Sequence, residues 1–220
     1  METLNSFIVF LVYLCIMELK EQLILVSTEL FIKYGIKSIS MDDISRQMGI
    51  SKKTMYEIVD SKSDLIDLVL NRHLSQSEQK LDVILKASRD AIDEMLQLSM
   101  HVLNFIAHLS PSIIYDLQKY YPKSWKLVRE YQQTCVEQRI YNNLTRGQME
   151  MLYRTDLDPK IIAKLYVFKT GAITDGDIFP PADFDKALLY KEIIKYHLFG
   201  IISEKGLKTI LRNYRKYLTI

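Results

Sequence analysis

Residues 40–59 decide the fold: Ser40-Met41-Asp42-Asp43-Ile44-Ser45-Arg46-Gln47-Met48-Gly49, then Ile50-Ser51-Lys52-Lys53-Thr54-Met55-Tyr56-Glu57-Ile58-Val59. Ser40 is a good helix N-cap, and Asp43 three residues later completes a capping-box pair. Met41, Ile44 and Met48 then recur at helical spacing and supply one apolar face. Gly49 is the residue type that ends a helix in the left-handed conformation. Ser51 caps a second short helix, expected from Lys52 to about Val59. Two short helices around a tight glycine-containing turn make a helix-turn-helix pattern.

Working outward, the pattern before this stretch is also helical. Leu19, Leu23, Val26, Leu30, Phe31 and Tyr34 line one face of a helix over 18–34, and Gly35 stops it. After it, Ser61 with Asp64 caps a fourth helix through Leu65, Ile66, Val69, Leu70 and Leu74, reaching about Leu85. Further amphipathic helices are expected over 87–109, 111–120, 123–146, 158–173, 183–202 and 205–218. Pro111, Pro122 and Pro159 sit where helices begin, and Asp175–Pro181 is the clearest loop. With seven glycines, five prolines and no convincing strand, the chain reads as all-α. The expected organisation is an N-terminal three-helix helix-turn-helix DNA-binding domain over 17–62, its motif at about 40–59, followed by a C-terminal helical bundle over 63–220.

In a helix-turn-helix the second short helix enters the major groove, its first residues toward the bases. Here those are Ser51, Lys52, Lys53, Thr54 and Tyr56. Lysine donates to guanine O6 or N7 or to a phosphate, and the hydroxyls hold phosphate oxygens. The inference rests on placement and not on bulk charge: between Glu18 and Arg72, eight Lys/Arg stand against nine Asp/Glu.

Ile24, Leu30-Phe31, Gly35, Ser40, Asp43-Ile44, Gly49-Ile50-Ser51, Lys53-Thr54-Met55-Tyr56 and Ser61-Lys62 with Leu65 resemble the N-terminal signature of the TetR family, over roughly Glu18 to Leu70. The resemblance implies that Ser40 and Thr54 contact phosphates and that Lys53 reads a base or a phosphate. It also implies that Tyr56 leans its hydroxyl on the DNA backbone and that Lys62 pairs with a phosphate. Ser27 and Ser45 depart from the usual alanines, and Ile58-Val59 replace a common aromatic pair. The implied function is a sequence-specific, cytoplasmic transcriptional regulator, in the first instance a ligand-responsive repressor, that binds a roughly palindromic double-stranded operator as a homodimer. The 183–202 helix has apolar residues on more than one face, so it and the 158–173 helix are the expected dimer contacts. The implied effector is small and mainly apolar. Phe105, Tyr115, Trp125, Tyr131 and Phe168, with Tyr166, are candidates to line its pocket, set against the ordinary reading of such aromatics as core.

Other classes find little support. The net charge is +2 and 25% of residues are charged, which points to no particular partner by itself. There is no Gly-rich phosphate loop, HExxH or GxSxG, so neither catalysis nor a cofactor is expected. Cys15 and Cys135 have no metal-like spacing, and His101 and His108 share a helix face without a third ligand, so no metal is expected either. Phe7–Met17 is an unbroken apolar run, short of the roughly 20 residues a bilayer span needs. It has no basic flank and no small-residue cleavage site. The expectation is that translation begins at Met17, that residues 1–16 are a mis-assigned extension, and that there is no stable membrane association. The alternatives are a helical interaction module that keeps the fold without binding DNA, and a regulator tethered to a membrane through residues 1–17.

Overall fold

A computed structural model describes residues 2–108 and 112–214, with side chains from Met17 onward. Apart from turns and loops, the described residues are helical: α1 Glu2–Tyr34, α2 Met41–Met48, α3 Lys52–Tyr56, α4 Lys62–Ala87, α5 Ala91–His108 and α6 Ser112–Tyr120 come first. Then follow α7 Pro122–Tyr131, α8 Glu137–Met149, α9 Pro159–Ala172, α10 Lys186–Ile201 and α11 Glu204–Thr209. An isolated antiparallel bridge joins Tyr153 and Ile202. Cys15 and Pro111 lie outside the described side chains and residues. Among the described residues no helix is long and apolar enough to cross a membrane.

Several boundaries differ from the sequence expectation, each for a local reason. α1 runs on upstream of residue 18, and α3 stops at Tyr56, short of Val59. The helix expected from 87 begins at Ala91, because Asp90 caps it: Asp90 Oδ1 accepts the Asp93 amide at 2.8 Å. The helix expected over 123–146 is broken by a π-helical turn, Gln132–Val136. There Thr134 Oγ1 donates to the Glu130 carbonyl at 2.8 Å, a side-chain bond that competes with the regular ladder. A second π turn, Ile210–Tyr214, continues α11.

The chain folds as two compact units: residues 1–75 with 109–127, and residues 76–108 with 128–220. The first unit therefore extends past the expected boundary at residue 62 and takes in α6. Leu65 and Ile66 of α4 and Ile113 and Leu117 of α6 are buried in one cluster with Leu23, Phe31, Ile44, Met55 and Val59. Val59 fills its place in that core without the aromatic the family resemblance would put nearby. Ser27 of α1 is fully buried, and its hydroxyl has no hydrogen-bond partner among the described residues.

The second unit is organised around the backbone of Ala91. Its carbonyl accepts from Tyr153 Oη and from Asn143 Nδ2, both at 2.9 Å, and its amide donates to Glu150 Oε2 at 2.8 Å. Arg146 joins the same cluster, donating to Glu150 at 2.7 Å, to Glu94 at 3.1 Å and to the Ser88 carbonyl at 3.2 Å. Burial raises the Glu94 carboxyl above its ordinary range, which the Asn143 and Arg146 hydrogen bonds oppose. Around this polar knot pack Ile92, Met95, Leu144, Ala163, Tyr166, Ile194 and Leu198.

His197 of α10 is buried in that core, its ring 4.9 Å from Tyr166 and its Nε2 without a hydrogen-bond partner. Burial, with the Lys169 ammonium, pushes the imidazole from 6.5 down to about 3. The unfolded chain then takes a proton on this residue that the folded chain refuses, so stability is full above about 6.5 and falls as pH drops toward about 3. The loss approaches about 1.4 kcal/mol per pH unit at most. Chemical denaturation of the wild type and of His197→Leu at a series of pH values should show this slope in the wild type and its loss in the variant. Parallel curves would refute it.

Candidate nucleic-acid interface

Placement of the two short helices begins at the end of α1. Gly35 adopts φ +84°, and its amide donates to the Phe31 carbonyl at 2.9 Å, which closes the helix. A Cβ at this position would be strained by the positive φ and would press on Ser112 Oγ, so the turn favours glycine. The next amides are taken up at once. Lys37 N donates to the buried Asp116 carboxylate at 2.8 Å, and Lys62 Nζ donates to the Ile36 carbonyl at 2.6 Å. The turn before α2 is thus tied to both α4 and α6.

α2 starts with the capping box read in the sequence: the Asp43 amide donates to Ser40 Oγ at 3.2 Å, and the Ser40 amide donates to Asp43 Oδ2 at 2.9 Å. The Ser40 hydroxyl and amide hold the Asp43 carboxyl below its ordinary range. α2 ends at Gly49, φ +68°, where the Gly49 amide reaches the Arg46 carbonyl and the Ile50 amide reaches the Ser45 carbonyl. These paired bonds form a Schellman motif, which reverses the chain in two residues. Ser51 then caps α3, accepting the Thr54 amide at 3.1 Å, with its hydroxyl 2.9 Å from Thr54 Oγ1.

Met55 of α3 and Ile44 of α2 are fully buried, which fixes the roll of α3. Ser51, Lys52, Lys53 and Tyr56 are consequently exposed, Tyr56 at 47%, and Thr54 is half-buried. Lys52 is ion-paired with Asp42 of α2, so part of its charge is already answered. Arg46 and Gln47 at the end of α2 are exposed as well, a pair the sequence reading did not single out although both precede the helix-ending glycine.

Two residues that the family resemblance assigns to phosphates also make contacts within the protein. Ser40 gives its hydroxyl proton to Asp43, so its first role is the cap. Lys62 turns inward: besides the Ile36 carbonyl, its ammonium lies 5.9 Å from the Phe31 and Tyr121 rings, and burial lowers its basicity while Asp116 and Asp43 oppose that. A carbonyl left open by the break at Gly35 draws the long side chain back. Asp116, which the sequence reading missed, stands 79 residues from its partner Lys37, and no local pattern announces it.

Of the aromatic residues expected to line a pocket, Tyr115 and Trp125 belong to the first unit and Phe105, Tyr131 and Phe168 to the second. Tyr115 is exposed and takes a hydrogen bond from Lys119, and Trp125 packs against the first unit's core. Phe105 and Tyr131 are half-buried in the second unit, while Phe168 is 73% exposed on α9. The second unit has a cleft between α5 and α10 that none of the five lines. Among the described residues no group of three or more metal-ligating side chains gathers.

The clamp on the α1–α2 turn makes a prediction. Lys62→Ala and Asp116→Ala should each cost about 1–2 kcal/mol of stability, the usual penalty for a buried polar group left unpaired. Thermal melts followed by circular dichroism measure this. Wild-type melting together with weakened DNA binding in Lys62→Ala would instead make Lys62 a direct phosphate ligand.

No protein-family model matches the chain. It is similar to the uncharacterised HTH-type transcriptional regulator YvaF of Bacillus subtilis, with 22% identity over 169 residues, 70% of this chain and 88% of that protein. Among solved structures, a transcriptional regulator from Cytophaga hutchinsonii matches with a TM-score of 0.69 at 18% identity, over 83% of this chain and 98% of that one. A TetR-family regulator from Agrobacterium tumefaciens matches with a TM-score of 0.67 at 16% identity, over 86% of this chain and 100% of that one. With its capped α2 and α3, its glycine turn and its helical second unit, the chain has the fold of the TetR family of transcriptional regulators.

Proposed function

We propose that this chain is a transcriptional regulator that binds double-stranded DNA sequence-specifically, works as a homodimer and changes its DNA affinity when a small ligand binds. The observation that carries the reading is the roll of α3. Met55 is buried beneath it while Ser51, Lys52, Lys53 and Tyr56 face outward from a two-residue turn, which is the presentation a groove-reading helix needs. Lys53, which among the described residues has no acidic partner of the kind Lys52 has, is the residue for a base edge or phosphate. Ser51, Thr54 and Tyr56 hydroxyls suit phosphate oxygens. Lys53→Ala and Tyr56→Phe should weaken binding to DNA selected by the wild-type protein, by about 1–3 kcal/mol for a base contact and less for a phosphate. Their melting should not change. Failure of the wild-type protein to retain any DNA fragment in a salt-controlled gel shift would favour the interaction-module alternative.

The homodimer reading is supported by two exposed apolar stripes. Ile161, Leu165 and Phe168 recur along α9, and Leu188, Tyr196 and Phe199 along α10. Stripes of this kind mark a partner surface, and a second copy meets them in a self-complementary two-fold contact. Two recognition helices then read half-sites about one helical turn, or a multiple, apart. Light scattering should report a dimer for the wild type and a monomer for Phe168→Glu combined with Tyr196→Glu. A wild-type monomer at micromolar concentration would remove this part of the reading.

A further inference from the structure

We propose that the cleft between α5 and α10 binds a single-chain amphiphile with an anionic head, a medium-chain carboxylate in its simplest form. The proposal rests on the ligand-responsive reading and gives the ligand a chemistry. The cleft holds a cavity volume of about 60 Å³ and is open to solvent along one side, where an alkyl chain extends beyond it. Leu96 and Leu103 of α5 and Ile194 and Leu198 of α10 supply apolar walls, which suit an alkyl chain slotted between two helices.

The polar groups are few and of one kind. Tyr190 lines the cleft at 3% exposure, and its hydroxyl makes no well-formed hydrogen bond, although the Tyr166 and Ser99 hydroxyls are near. Ser99 has already given its proton to the Met95 carbonyl at 2.7 Å. A buried phenol in that position can turn its proton toward a ligand oxygen. Lys191 and Lys195 stand one turn apart along the same lining, and no acidic residue lines the cleft. Lys195 has only a long contact of 3.7 Å with Glu192, on the exposed surface. Two ammonium groups and a phenol hydroxyl are three donors along a lining that has no carboxylate. A carboxylate supplies acceptors for all three, whereas a cationic or neutral head leaves the lysines unanswered.

Calorimetric titration of the full chain with decanoate, decanol and decyltrimethylammonium, each below its micellar concentration, tests the assignment. Decanoate should bind saturably, one per chain, decanol more weakly and the ammonium compound not at all. Lys191→Ala with Lys195→Ala should weaken decanoate by about tenfold while leaving decanol unchanged, Tyr190→Phe should weaken decanoate, and Leu103→Trp should abolish binding by filling the slot. Absence of saturable decanoate binding overturns the proposal, as does equal binding of the three probes or an unchanged decanoate affinity in the lysine variant. Conversion of Leu103→Trp to a monomer also overturns it, because the cleft would then be a subunit contact. A DNA gel shift on the same samples separates the two levels. DNA retention without decanoate binding rejects only the ligand chemistry, and decanoate binding without DNA retention rejects only the regulator reading.

Discussion

The first unit depends on how the chain leaves α1. A helix end exposes backbone groups that its own ladder no longer satisfies, and in a buried turn each of them must find a partner or cost stability. Here Asp116 takes the Lys37 amide and Lys62 answers the Ile36 carbonyl, with Gly35 making the space. Those contacts fix the start of α2, the Schellman turn at Gly49 fixes the start of α3 relative to α2, and buried Met55 fixes which side of α3 is outermost. The outward direction of Lys53 and Tyr56 is the last link of this series.

What could be read from the sequence follows the range of the interactions. Ser40 with Asp43, Gly49, Ser51 and Ser61 with Asp64 act within three or four residues, and all of them cap or turn the chain where the sequence pattern put them. The long-range partners were not legible. Asp116 is one polar residue in an otherwise ordinary amphipathic helix until the fold brings it to Lys37. Lys62 looks like a solvent-facing lysine until the open carbonyl at Ile36 comes within reach. Helical spacing places aromatic residues on a face without saying which neighbour the face meets, and Tyr115 and Phe168 are exposed.

α10 shows how one helix with apolar residues all round resolves into distinct faces. Tyr190, Ile194, Leu198 and Ile201 are buried, Leu188, Tyr196 and Phe199 are exposed, and Lys191 and Lys195 edge the cleft. Its weak amphipathic signal in the sequence is therefore the sum of several faces with different environments, not the mark of a poorly defined element. Phe199 belongs both to the exposed stripe and to the cleft lining. A change in the cleft therefore alters the shape of the surface proposed to meet a second copy.

The polar knot at Ala91 has a consequence for motion. Helix N-termini ordinarily fray, since their first amides lack partners within the helix. In α5 the first amide is held by half-buried Glu150 and the first carbonyl by buried Tyr153 and Asn143. The end of α5 that should open most readily is thus pinned to α8 and to the segment after it. Amide hydrogen exchange in this unit should therefore be slow at the entrance of α5, and the freedom of that helix should lie toward its far end, near His108.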